Sequence, residues 1–159
     1  MSGKNAHCKT QVLLYAPLLV WMAGIFYLSS LPGSGAAYEM PRAMLIERKG
    51  AHIFEYFILT LLWVRVFSFL FSKNERVAMG FSILSALIYA VSDEIHQLFV
   101  FARTGKLTDV LIDSIGIFIA SALFVRFFDR LPAFYQGFFI PRRKGLPRRV
   151  KKTTIKVKK

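Results

Sequence analysis

Two carboxylates, a histidine and an amide stand together as Asp93-Glu94-Ile95-His96-Gln97, directly after sixteen uncharged residues at 77–92. Ionisable side chains at the end of an apolar stretch of that kind are costly to place in a membrane and mark a functional site by default. Other polar groups are spaced to join them. His52 and Glu55 are three residues apart, Asp109 and Asp113 four apart, and Lys49, Arg103 and Lys106 lie close by in sequence. On a helix, separations of three and four bring side chains to one face, which also groups Asp93 with His96 and Gln97. Glu94 is rotated about 100° from Asp93 but only about 60° from Gln97, so it borders the same face. In an enzyme, His52 or His96 would be the general base, Glu55 or Glu94 its orienting partner, and Asp93 a second acid or a metal ligand. Lys49 and Arg103 suit a phosphate or carboxylate, with Gln97, Asp109 and Asp113 completing a binding surface. No Gly-x-Ser-x-Gly and no activated cysteine support an acyl-enzyme, and no His-Glu-x-x-His supports a zinc hydrolase. The sequence calls for no cofactor.

The elements that must position these residues are apolar. The chain has 159 residues, 55% hydrophobic and 15% aromatic, which excludes an ordinary soluble domain. Residues 11–31 carry no charge, enough to cross a hydrocarbon core about 30 Å thick. Residues 51–71 are apolar apart from His52, Glu55 and Arg65, and residues 110–128 apart from Asp113 and Arg126. The reading is an all-α, polytopic membrane protein with four spans at about 11–31, 51–71, 77–101 and 108–128, packed as one compact bundle. Residues 1–130 form this transmembrane domain. Residues 131–140, with Phe134, Tyr135, Phe138 and Phe139, form an interfacial aromatic segment. Residues 141–159 form a basic, disordered tail. Secretory cleavage near Ser34-Gly35-Ala36 is the alternative for the first span, but its apolar run exceeds the usual 7–15 residues. The single cysteine, Cys8, excludes an internal disulfide. An incidental thiol is preferred there to a lipidated one.

Lysine and arginine set the orientation. Fifteen of them fall on the side holding both termini and five on the other, so the positive-inside rule puts both termini in the cytoplasm of a bacterial inner membrane. Arg65 and Arg126 then snorkel to the inner headgroups. The ten basic residues of 141–159 sit beside anionic lipid headgroups, which are favoured over nucleic acid as their partner. All the polar sets above reach the outer face, where they converge on a polar cleft. Five carboxylates there cannot all be ionised without partners and titrate as a coupled set.

Several stretches carry a resemblance: Lys49-Gly50-Ala51-His52-Ile53-Phe54-Glu55-Tyr56, Ser92-Asp93-Glu94-Ile95-His96-Gln97-Leu98-Phe99, Arg103-Thr104-Gly105-Lys106-Leu107-Thr108-Asp109-Val110 and Asp113-Ser114-Ile115-Gly116, with Trp21 and Phe26-Tyr27-Leu28-Ser29-Ser30 before them. Over about residues 11–128 the chain resembles the VanZ-like membrane proteins. The resemblance implies a small bacterial integral membrane protein and, through the founding member, an association with resistance to the glycopeptide teicoplanin. It implies no reaction. Asp113 is a departure, because the family often has Asn there; a carboxylate adds negative charge and favours a metal or a protonated acid.

Four roles compete. One is an interhelical network that joins the spans, with Arg103 on Asp109 or Glu94 and His52 on Asp93. A second is a cleft that binds or modifies an envelope lipid, a lipid-linked cell-wall precursor or a glycopeptide. A metal-dependent hydrolase or transferase and a proton or ion pathway complete the set. Binding and catalysis both stay open. A reporter fused after Lys159 should read cytoplasmic; an external signal would reverse the orientation.

Overall fold

The computed structural model describes residues 2–33, 42–71 and 74–130, with side chains except at 2–10, 42–45 and 129. Among the described residues there are four long helices and no strand: α1 (Ser2–Ser30), α2 (Arg42–Leu70), α3 (Glu75–Gln97) and α4 (Leu107–Phe127). A short 3₁₀ turn, Phe128–Arg130, follows. Each long helix contains a stretch long and apolar enough to cross a membrane: Gln11–Ser30, Ile46–Leu70, Glu75–Gln97 and Leu107–Phe127. The aromatic segment 131–140, the basic tail 141–159, the Ser34-Gly35-Ala36 junction and the Cys8 side chain lie outside the described residues.

Three boundaries differ from the sequence expectation, the first being that α1 starts at Ser2, nine residues before the expected 11. The second helix starts at Arg42, nine residues before the expected 51, because a helix need not stop where its apolar stretch does. α3 ends at Gln97 and not near 101. Leu98–Ala102 turns instead, with Ala102 in the left-handed region at φ 59°. Asp93, Glu94, His96 and Gln97 therefore occupy the last turn of α3. At its start, the Asn74 side chain accepts from the Val77 N–H at 3.2 Å, satisfying one orphan donor of the first turn.

α2 and α3 each pack against the other three helices. α3 presents Ala78, Ser82, Ala86 and Ala90, all buried and four residues apart. Small residues at this spacing let backbones approach closely without a lipid-driven hydrophobic force. The same side of the helix runs on into buried Asp93, Glu94 and Gln97. The core gathers Leu14, Leu18 and Ile25 of α1 with Tyr56, Leu59 and Val66 of α2 and Ile117 of α4. Exposed Val12, Val20, Phe54, Leu84, Ile88, Phe118 and Val125 form the apolar exterior that a bilayer would solvate. Buried hydroxyls bond to their own helices: Thr60 to the Tyr56 carbonyl at 2.7 Å and Ser121 to that of Ile117 at 2.8 Å.

Arg65 departs from the expected snorkelling. It is buried, and its Nη1 donates to the Leu13 carbonyl at 2.7 Å and the Leu14 carbonyl at 3.3 Å on α1. The cause is Pro17, inside α1. Proline has no N–H, so the carbonyl four residues earlier, that of Leu13, loses its helical donor. Arg65 supplies one from the neighbouring helix, as a membrane interior requires. Arg65→Ala should cost about 1–3 kcal/mol by leaving that carbonyl bare. Pro17→Ala in the same chain should recover most of the loss by restoring the backbone donor. Simple addition of the two single effects in a thermal-unfolding cycle would show that the two residues are not coupled.

Candidate functional site

The polar residues divide into two groups. The first ties the end of α3 to the end of α1. Gln97 Nε2 donates to Asp93 Oδ2 at 2.9 Å and to Glu94 Oε1 at 3.3 Å. Arg103 Nη1 donates to Gln97 Oε1 at 3.3 Å, Nη2 to the Leu28 carbonyl at 2.9 Å and Nε to the Leu31 carbonyl at 2.8 Å. The last carbonyls of a helix have no partner of their own and carry partial negative charge, so this guanidinium caps α1. Burial lowers Arg103 from the ordinary guanidinium range, with Arg48 adding to the fall and Asp93 and Glu94 opposing it. It stays charged all the same. Glu94 Oε2 accepts the Lys106 backbone N–H at 2.8 Å, which fixes the entrance to α4. The turn between is close-packed: the Gly33 N–H donates to the Phe101 carbonyl at 3.1 Å, and a Cβ at Gly105 would strike the Glu94 carbonyl.

His96 belongs to this first group. Its Nε2 lies 3.0 Å from Ser30 Oγ, and its ring packs on Phe26 with centroids 4.3 Å apart. The Ser30 hydroxyl donates to the Phe26 carbonyl at 2.6 Å. A hydroxyl has one proton to give, so His96 Nε2 is the donor of the pair. The imidazole is held by α1, apart from the other histidine.

The second group sits between α2, α3 and α4. His52 Nδ1 lies 3.4 Å from Asp113 Oδ1 and 4.0 Å from Glu55 Oε2. The 3.4 Å contact is an ion-pair distance without hydrogen-bond alignment, because both His52 Nδ1 and Asp113 Oδ1 are buried with no hydrogen bond. Asp113 is fully buried, at 0% exposure, whereas the His52 and Glu55 side chains keep 17% each. Asp113 Oδ2, Asp93 Oδ1 and the Tyr56 hydroxyl are likewise buried without a hydrogen bond. Asp93 and Asp113 both act electrostatically on Tyr56 and His52, so these groups share one neighbourhood. Gly116 permits this closeness. A Cβ there would strike the Ile53 carbonyl of α2, so any larger residue would push α4 away from His52. The Trp21 indole donates to the Glu55 carbonyl at 3.0 Å and the Tyr89 hydroxyl to the Met22 carbonyl at 2.7 Å, which joins α1 to the two helices that frame the centre.

The expected site residues thus separate. His52, Glu55, Asp93 and Asp113 come together. Glu94, Gln97 and Arg103 form the capping network, His96 faces α1, and Lys49 is exposed. Asp109 is half-buried in the first turn of α4, where Thr108 Oγ1 donates to its Oδ1 at 3.4 Å. Two expected pairings differ. Arg103 engages Gln97 and α1 carbonyls, not Asp109 or Glu94, because the turn returns it over the end of α1. His52 meets Asp113 rather than Asp93, because Gly116 draws α4 onto α2. Tyr56 went unrecognised as a site residue, although it lies one turn after His52 on the same face. Among the described residues, no three of His, Cys, Asp and Glu gather as a metal-ligand set.

No curated protein and no solved structure matches the chain. The family model described as VanZ/LLP1 matches residues 13–128, which contain the last three apolar stretches, all but the first two residues of the first, and every residue of both polar groups. The chain, with its four membrane-spanning helices, therefore belongs to the VanZ/LLP1 family.

Proposed function

We propose that this protein binds or modifies an envelope lipid or a lipid-linked cell-wall precursor at the centre formed by His52, Glu55, Asp93 and Asp113, and that it thereby alters susceptibility to glycopeptides such as teicoplanin. The observation that supports the reading is Asp113, fully buried with neither carboxylate oxygen hydrogen-bonded among the described residues. A network that served only to join helices would satisfy its members, since an unpaired buried acceptor costs about 1–3 kcal/mol. The lysine and arginine bias supports a centre in the outer half of a bacterial inner membrane, with both termini cytoplasmic, on the side where envelope precursors are handled.

In a catalytic version, His52 is the general base, Asp113 orients its imidazole and Glu55 is the second acid. That changes the partner of His52 from Glu55 or Glu94 to Asp113, and it leaves His96 outside the chemistry. The joining role is favoured for the other group by its hydrogen bonds: Arg103, Gln97, Glu94 and His96 hold α1, α3 and α4 in register. The basic residues of 141–159 meet anionic headgroups on the cytoplasmic surface.

The test is glycopeptide susceptibility in cells that depend on this chain for tolerance, with the amount of protein in the membrane measured in parallel. His52→Ala and Glu55→Gln should abolish tolerance at normal protein levels. His96→Ala should reduce tolerance only as far as it reduces the amount of protein. Full tolerance in both His52→Ala and Glu55→Gln would refute the assignment of the centre.

A further inference from the structure

Among the described residues, the groups of the centre that lack a hydrogen bond are mostly acceptors. Asp113 Oδ1 and Oδ2, Asp93 Oδ1 and the Tyr56 hydroxyl are all buried and lack a hydrogen bond. The Glu55 carboxylate lies 4.0 Å from His52 Nδ1; this nitrogen and the Tyr56 hydroxyl can donate, and among the described residues the carboxylate oxygens of the centre outnumber them. Three cations close by in sequence, Arg103, Lys49 and Lys106, are placed elsewhere. Arg103 directs Nε, Nη1 and Nη2 to Leu31, Gln97 and Leu28. The Lys49 and Lys106 side chains are exposed. The His52 and Glu55 side chains stay partly exposed, and the buried Asp113 carboxylate lies directly beside His52.

This composition selects a ligand. A phosphate or carboxylate would stand among Glu55, Asp93 and Asp113 and be repelled by like charge. A quaternary ammonium brings positive charge but no N–H, so the acceptors would stay bare. A hydroxyl brings one proton and no charge. A primary ammonium brings three donors and one positive charge, and charge-assisted hydrogen bonds to carboxylates are among the strong ones. We infer that the centre formed by His52, Glu55, Tyr56, Asp93 and Asp113 receives a primary ammonium group, carried by a lipid headgroup or by a free amine. This rests on the proposal that the centre is a ligand site and names the chemistry that the site takes. The polar portion recognised here is cationic, so the phosphate-holding role expected of Lys49 and Arg103 has no part in it.

The full chain, purified in detergent, is mixed with phosphatidylethanolamine, its N-methyl and N,N-dimethyl forms, phosphatidylcholine and phosphatidylglycerol of identical acyl chains, and bound lipid is counted by native mass spectrometry. The methyl series removes donors one at a time at constant charge. Retention should fall along it, by about tenfold from the primary amine to choline, as expected for the loss of one or more charge-assisted hydrogen bonds. Asp113→Asn and Glu55→Gln should flatten the series. Tyr56→Phe, which removes one oxygen and keeps the packing, should flatten it in part. Displacement of phosphatidylethanolamine by millimolar ethanolamine would show that the ammonium suffices. Failure of ethanolamine to compete, with the series intact, would identify the lipid-borne headgroup. Equal retention across the wild-type series overturns the inference, as does a series unchanged in Asp113→Asn and Glu55→Gln. Selective retention of phosphatidylglycerol that depends on Asp113 would sink the ammonium assignment and leave the ligand-site reading standing. No dependence on these residues for any lipid or amine would sink both.

Discussion

In hydrocarbon a polar atom without a partner is expensive, and most of this bundle can be understood from how it meets that requirement. α1 shows it best. Pro17 strips a donor from the Leu13 carbonyl and Arg65 of α2 replaces it. At the other end the last carbonyls, at Leu28 and Leu31, receive Arg103 from the turn after α3. Between them Tyr89 bonds to the Met22 carbonyl and Trp21 reaches across to that of Glu55. Individual interhelical hydrogen bonds in membranes average about 0.6 kcal/mol. Spread along one helix and directed to its backbone, they fix its position and register where apolar packing alone discriminates weakly.

The same rule gives meaning to the exception. Where α2 and α4 meet over Gly116, the fold brings Asp113 against His52 and gives its oxygens no hydrogen bond among the described residues. A few residues away, Gln97 engages both Asp93 and Glu94, and the Lys106 N–H completes Glu94. The protein therefore has the means to satisfy carboxylates at this depth and does not apply them to Asp113 or to Asp93 Oδ1. One side of Asp93 is anchored in the structural network and the other faces the open group, which joins the scaffold to the proposed site within a single side chain.

Much of the fold was legible because uncharged runs of the right length have few alternatives in a chain of this composition. The end of α3 was not, because apolar residues 98–101 look the same to a hydrophobic pattern whether they continue a helix or turn at Ala102. Spacing placed His52 with Glu55 and Asp109 with Asp113 on helix faces, but a face does not name the neighbour it meets. That depended on Gly116 and on the small residues Ala78, Ser82, Ala86 and Ala90, which set how closely the helices approach. A hydrophobic pattern alone reads Arg65 as a snorkelling residue, because its link to Pro17 spans 48 positions of sequence. Tyr56 was hidden among aromatics that serve as core. Its free hydroxyl becomes informative only once its burial is known.

On the proposed reading, Asp113 is held in place for a ligand rather than for the fold. The direct test is the thermal unfolding of ligand-free Asp113→Asn in detergent. Asn keeps the shape and removes a buried charge, and His52 can stay neutral beside it. The variant should therefore melt at or above the wild-type temperature. A fall of more than about 4 °C, corresponding to about 1 kcal/mol or more for a chain of this size, would show that the carboxylate is part of the scaffold and would contradict the account.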